Sequence, residues 1–334
     1  MRINRDTLLK IAEETVAQRT RRGHDVMAAY LSGSLLGDDF LLGGTTDIDL
    51  TILHLDTPRI DREVVRLADE VHLDIAHYDQ RDFNKPRRLR LHPWLGPVLY
   101  ECKILYDPQH FLDFIQASVR GQFYRSDYVL DRARQQLEHA RQIWSGFASR
   151  APAQPEPADL SAYLRAIDHA ANAVAGLSGP PLTERRLLLG FPQRAEAAGH
   201  PGLYPALLGM LGAHHVDGAV MGAWLPAWEA ALESLPEGTR PPRLHPCRIP
   251  YYRRAFESIL KGEHPQAALW PLLRTWTQAA GMHSQAELGR TTWSETCAQL
   301  GLLGDGFGER VQALDSFLDL VDETLEDWLR AQGG

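Results

Sequence analysis

The chain has 334 residues, of which 44% are apolar and 23% are charged, and its formal net charge is -8. This composition is typical of a folded globular chain long enough for two domains, and it argues against a strongly basic nucleic-acid-binding surface. The three cysteines, Cys102, Cys247 and Cys297, are too widely spaced for a disulfide framework or a zinc site. No apolar run reaches the about 18 residues of a membrane span, and we therefore expect a cytoplasmic protein.

The first elements are a helix and a strand. Residues 5–22 have the apolar periodicity of an amphipathic helix, for which Asp6 is a candidate cap. The apolar run Val26–Leu31 predicts a buried strand, which Gly33 and Ser34 end. We expect a short helix from about residue 34. The free backbone N–H groups of such a turn favour the binding of a phosphate.

The next strand, at 47–54, carries two carboxylates at its start. Asp47 and Asp49 point to the same face because strand side chains alternate, and Ile48 points into the core. Two carboxylates so close repel each other unless protons or a cation lie between them, and oxygen-rich sites suit Mg²⁺ or Mn²⁺. We interpret Asp38 and Asp39, in the preceding spacer, as solvated loop residues.

A third aspartate follows on another predicted strand. After a predicted helix at about 58–68, the alternating segment 70–78 predicts a strand that carries Asp74, with His72 and Ala76 on the same face. The segment 81–91 is basic, and we interpret it either as a phosphate-steering patch or as a solvated helix end. A short apolar run at about 104–108 predicts the last strand of the sheet.

This ordered set of residues resembles the polymerase-β-type nucleotidyltransferase superfamily. The resemblance consists of Gly33-Ser34, a Gly-rich spacer, Asp47-x-Asp49 on a strand and Asp74 on a later strand. It covers residues 25–80, and more loosely extends to about 108. It implies an α+β protein with an N-terminal mixed-sheet catalytic domain at 1–115 and an all-α domain at 116–334.

The resemblance also implies roles for the site residues. Asp47, Asp49 and Asp74 would be the catalytic residues and hold Mg²⁺ or Mn²⁺, and Gly33 and Ser34 would bind the phosphates of ATP or another NTP. The implied reaction transfers AMP to a hydroxyl of a small-molecule acceptor, in the manner of the aminoglycoside nucleotidyltransferases. The alternatives are a protein acceptor, as in toxin–antitoxin pairs, and a non-catalytic nucleotide-binding protein. The net charge disfavours a nucleic-acid acceptor.

Beyond about residue 125 the pattern is helical to the end of the sequence. Helices are predicted at 126–149, 159–177, 184–198, 203–212, 216–235, 251–262, 265–280, 285–301 and 308–331. Candidate phosphate ligands in this region are Arg165, Arg185, Arg186, Arg253 and Arg254. Arg134 and His139 fit the loose R-x4–6-H pattern of HEPN ribonucleases, a rival reading, although this spacing also arises by chance on a long helix.

Overall fold

The computed structural model describes residues 3–22, 25–150, 152, 154–236, 238, 240–284 and 287–333. The chain divides into two compact units, Met1–Tyr128 and Val129–Gly334. The first unit contains a β-sheet and the second is helical, so the predicted α+β layout is confirmed.

The first unit is built on a five-stranded mixed sheet. Its strands lie in the order β3-β4-β2-β1-β5, and β2 and β4 are parallel while the other pairs are antiparallel. The strands are β1 (Val26–Ser32), β2 (Thr46–His54), β3 (Arg62–Arg66), β4 (Val71–Asp79) and β5 (Lys103–Tyr106).

One face of the sheet is covered by helix α1 (Arg5–Arg22), as predicted. Leu8, Ala12 and Val16 of this helix pack in one core with the apolar residues of that face, which include Ile48 and Leu50. The helix cap differs from the prediction, since the backbone N–H of Thr7 donates to Oδ1 of Asn4 at 2.8 Å. Asn4 precedes the first helical residue, where a side-chain oxygen reaches the free N–H groups, whereas Asp6 lies within the first turn.

Part of the opposite face is covered by three short helices. They are α2 (Pro86–Leu91), α3 (Leu95–Glu101) and α4 (Phe111–Arg120), and the last of these spans the boundary predicted after residue 115. A second core joins them to the side chains of Ala28, Tyr30 and Leu53. These three residues lie toward the end of the sheet where β1 begins and β2 ends. The second core therefore packs on that end of the face and not at the start of β2.

The prediction of a helix at 58–68 is wrong. Residues Arg62–Arg66 form the edge strand β3, which pairs antiparallel with β4. Two β-branched residues, Val64 and Val65, favour this strand. The pairing also satisfies the backbone groups along one edge of β4, a long-range gain that local helical periodicity does not reveal.

The second unit consists of helices, as predicted. The first of them, α5 (Ser126–Arg150), begins just before the boundary between the units. The others are α6 (Pro157–Ala175), α7 (Leu187–Ala197), α8 (Leu203–Met210), α9 (Gly218–Glu233), α10 (Arg248–Leu260), α11 (Leu269–Ala280), α12 (Leu288–Gln299) and α13 (Gly306–Ala331). Residues 285 and 286, where we expected the penultimate helix to begin, lie outside the described residues. Among the helices in the described ranges, none has the length and apolar character needed to cross a bilayer.

Helix α6 lies at the centre of this unit. It packs against α7, α11 and α13. Its alanines Ala170, Ala171 and Ala173 are fully buried, because small side chains allow neighbouring helices to approach closely.

A chain of hydrogen bonds ties four side chains together at the end of the sheet where β2 and β4 finish. His54 Nδ1 lies 2.8 Å from Asp25, His54 Nε2 lies 2.9 Å from His77 Nδ1, and His77 Nε2 lies 3.1 Å from Glu63. Glu63 also accepts from Arg19 of α1 at 2.9 Å. Which ring nitrogen donates in each of these bonds is set by the protons on the two imidazoles.

The surroundings shift two pKa values of this network. Burial lowers the pKa of His77, which favours its neutral form, and the hydrogen bond from His54 lowers the pKa of Asp25, which keeps that carboxylate ionised. A neutral His77 that donates from Nε2 to Glu63 accepts at Nδ1 from His54.

We expect ¹⁵N NMR at about pH 6, below the ordinary histidine pKa of about 6.5, to show His77 neutral as the Nε2–H tautomer, because burial lowers its pKa. Glu63→Gln should lower the pKa of His77 further, because it removes the carboxylate whose hydrogen bond and charge raise that pKa. A His77 ring protonated on both nitrogens in the wild-type protein at this pH would contradict the prediction.

Candidate functional site

The parallel pairing of β2 and β4 aligns two rows of polar side chains. In this register Asp47 lies beside His72 and Asp49 lies beside Asp74. Because both strands alternate with the same period, all four side chains belong to the sheet face opposite α1. The register therefore brings the predicted pair Asp47 and Asp49 and the predicted pair His72 and Asp74 onto one face of the sheet.

Three of these side chains form a compact cluster. Asp47, His72 and Asp74 each offer one donor atom, and the three atoms lie within 4.8 Å of one another. His72 Nε2 is 4.0 Å from Oδ2 of Asp47. The His72 and Asp74 residues are only 1% and 2% exposed, so their donors are shielded from bulk water. We had not assigned His72 a ligand role from the sequence.

Asp49 lies against the glycine turn instead. Gly33 has φ 78° and ψ -164°, a region of backbone space that is accessible almost only to glycine. A Cβ atom at this position would overlap Oδ2 of Asp49 and lie 2.9 Å from its Cγ. Glycine is therefore required both by the backbone conformation and by the close approach of the Asp49 carboxylate.

The turn after Gly33 is shorter than predicted. The short helix expected from about residue 34 is a single 3₁₀ turn, Ser34–Leu36, so a helix dipole would add little to the binding of a phosphate. Arg5 of α1 fixes the turn, because its guanidinium donates to the carbonyls of Leu35 at 3.0 Å and Leu36 at 2.6 Å. The assignment of Gly33 and Ser34 to nucleotide phosphates stays a prediction.

Arg62 brings a positively charged side chain to this site. From strand β3, its Nε and Nη2 donate to the two oxygens of Asp74 at 2.5 and 2.8 Å. A bidentate guanidinium–carboxylate pair of this kind fixes the orientation of the carboxylate and stabilises its ionised form. Sequence reasoning missed Arg62 because it placed residues 58–68 in a helix.

The charges and donors of the cluster fit a divalent cation. Three carboxylates, Asp47, Asp49 and Asp74, and one guanidinium, Arg62, leave a formal charge of -2 with His72 neutral. Carboxylate oxygens are the common ligands of Mg²⁺ and Mn²⁺, and an imidazole nitrogen adds a donor that transition ions accept. Asp47, His72 and Asp74 are thus the residues that would hold the ion.

The remaining candidates in the first unit are more exposed. Asp38 and Asp39 are exposed in the spacer, as we interpreted them. In the basic segment, Arg81 pairs with Asp79, and Arg90 donates to the carbonyl of Ser118. Exposed cations of the same segment are Lys85, Arg87 and Arg88.

Two of the candidate arginines of the helical unit, Arg185 and Arg253, make contacts within that unit. Arg185 is buried and its guanidinium lies 3.3 Å from the centre of the Tyr251 ring, and Arg253 pairs with Glu229 at 3.2 Å. These contacts give both side chains a structural role. Their assignment to nucleotide phosphates stays a prediction.

Arg134 and His139 of the rival motif lie on helix α5, along an open groove of about 360 Å³. The ring of His139 is 5.2 Å from that of His169, and burial lowers the pKa of His169 to about 4. The groove is lined by residues of one helix, and an Arg and a His on one helix do not by themselves define a nuclease site.

Comparison with known proteins adds little to this picture. No protein-family model matches the chain, and no curated protein matches it significantly. Among solved structures it is similar to a nucleotidyltransferase-like protein from Exiguobacterium sibiricum 255-15, with 12% identity over 94% of this chain and 91% of that chain and a TM-score of 0.32. At this TM-score the two backbones diverge too far for function to be carried across.

Two glycine variants test the contact between the turn and Asp49. Gly33→Ala should lower the free energy of unfolding by about 3 kcal/mol, because it adds both backbone strain and an overlap with the carboxylate. Gly44→Ala is the matched control, since Gly44 also has a positive φ of 73° but has open space around its Cβ position. The control should lose only about 1 kcal/mol, and equal losses in urea denaturation would show that Asp49 does not pack tightly on Gly33.

Proposed function

We propose that the chain is a metal-dependent nucleotidyltransferase that transfers a nucleoside monophosphate from an NTP to an acceptor hydroxyl and releases pyrophosphate. The observation that carries the proposal is the placement of Asp47, Asp49 and Asp74 on one face of two adjacent parallel strands. The glycine turn touches this group at Asp49. The site thus combines carboxylates that could hold a cation with a backbone turn that accepts no side chain. Phosphoryl chemistry uses both features.

Each residue has a distinct task in this proposal. Asp47 and Asp74 would hold the cation, and Asp49 adds a third carboxylate next to the turn. The backbone N–H groups at Gly33 and Ser34 are assigned to the β- and γ-phosphates, while the Asp49 carboxylate fills the space that a Cβ at residue 33 would occupy. When bound, a divalent ion would neutralise the phosphate charge and stabilise the pyrophosphate leaving group.

Arg62 makes Asp74 a fixed ligand. Its bidentate contact stabilises the carboxylate anion and opposes proton uptake by Asp74. A carboxylate has further lone pairs, and Asp74 can accept from Arg62 and still bind a cation. Asp74 is therefore better suited to holding a metal than to shuttling a proton.

The proposed donor is ATP and the proposed acceptor is a small molecule. The donor follows from the family resemblance. For the acceptor, the net charge of -8 opposes the binding of a long polyanion and favours a compact or cationic molecule. A protein acceptor is the other outcome that the test must distinguish.

Calorimetric titration of the full chain with each NTP and a divalent ion tests the proposal. The variant Asp47→Asn/Asp49→Asn removes two charges from the site, and Asp38→Asn/Asp39→Asn removes two charges from the exposed spacer as a matched control. We expect the site variant to weaken metal-dependent NTP binding at least about a hundredfold, or about 2.7 kcal/mol, and the control to bind like the wild type.

The acceptor class is read from label transfer. With an α-³²P-labelled NTP, label in a small-molecule product supports the proposal in full. Label on a protein would support nucleotidyl transfer but show that the acceptor is a protein and not a small molecule. If no NTP binds to the wild-type chain, or if both double variants bind equally well, the nucleotidyltransferase proposal is wrong.

A further inference from the structure

We propose that His72 is a nitrogen ligand of the cation and that it makes the site prefer a first-row transition ion such as Mn²⁺ to Mg²⁺. This inference rests on the proposed function, because it concerns the same cation. The resemblance to nucleotidyltransferases supplies carboxylate ligands alone, so the imidazole is a feature of this chain.

The first support is the position of the ring. His72 lies directly beside Asp47 in the parallel register, on the face that also carries Asp74. Its Nε2 is 4.0 Å from Oδ2 of Asp47. Two donors on opposite sides of an ion, each about 2.1 Å from it, are about 4.2 Å apart. The observed separation therefore matches two ligands of one ion without a change of backbone.

The second support is burial. The residue is 1% exposed, and its neighbours along the strand, Val71 and Leu73, are apolar and buried on the opposite face. Burial keeps bulk water from competing for an ion with the donor atoms of Asp47, His72 and Asp74, which lie within 4.8 Å of one another.

The third support is charge. The three carboxylates and Arg62 leave a formal charge of -2, which one divalent ion balances. Arg62 occupies one side of Asp74 through both carboxylate oxygens, which keeps that side chain in place for the ion. Two carboxylate oxygens and one imidazole nitrogen form a mixed donor set.

The donor set determines the preference among ions. Mg²⁺ is bound in proteins through oxygen and seldom through nitrogen, whereas imidazole is a common ligand of transition ions. The same site with an oxygen donor at position 72 would lose this discrimination. Metal selectivity is therefore a property that a single residue of β4 controls.

Mn²⁺ binding to the full chain, followed by EPR, provides the test. Pulsed EPR on the wild-type protein should show coupling of the Mn²⁺ spin to a ¹⁴N nucleus, and Mn²⁺ should bind at least about tenfold more tightly than Mg²⁺. His72→Asn replaces the nitrogen donor by an amide oxygen. It should abolish the ¹⁴N coupling and lower the Mn²⁺ affinity about tenfold or more, with Mg²⁺ affinity changed less.

The control is His139→Asn, which changes an exposed histidine of helix α5 and should leave both affinities and the coupling unchanged. The wild-type spectrum decides the question even if His72→Asn fails to fold. Mn²⁺ binding that Asp47→Asn removes but that shows no ¹⁴N coupling would overturn the role of His72 and leave the proposed function intact. Absence of both metal and NTP binding would overturn the two proposals together.

Discussion

The parallel register of β2 and β4 is the constraint on which the site depends. It places Asp47 beside His72 and Asp49 beside Asp74. A shift of either strand by one residue would send its polar side chains into the core under α1 and bring Ile48 or Leu73 to the other face. The register is therefore fixed by the same apolar residues that make the first core, and the site needs no separate structural support for its alignment.

Bringing three carboxylates together in partial burial opposes folding, and the structure offsets this in two ways. Arg62 neutralises Asp74, the most deeply buried of them, with a bidentate ion pair. Asp49 is held close to the backbone at Gly33, where no side chain displaces it. The formal charge of -2 that remains is unfavourable on its own, and the divalent cation of the proposed function would balance it.

Strand alternation allowed much of this site to be predicted from the sequence. Period two alone placed Asp47 and Asp49 on one face and put His72 with Asp74 on the next strand. It did not show that β2 and β4 run parallel and adjacent, and this pairing is what selects Asp47, His72 and Asp74 as one cluster. Pairing between distant segments is set by tertiary packing and leaves no local signal.

The prediction of a helix at 58–68 failed for a similar reason, and it concealed Arg62. Valines 64 and 65 were a signal for a strand, but the surrounding charged residues also fit a helical pattern. The segment after Gly33 was predicted as a short helix because the strand ends there, and it forms a single 3₁₀ turn that ends at Gly37.

Strand β3 links the two polar clusters of the sheet. Its consecutive residues Arg62 and Glu63 point to opposite faces, so Arg62 binds Asp74 on the face of the candidate site and Glu63 accepts from His77 on the face covered by α1. Loss of the β3–β4 pairing would take Arg62 from Asp74 and Glu63 from His77 at once. An edge strand that local patterns did not reveal thus contributes a charged side chain to the polar cluster on each face.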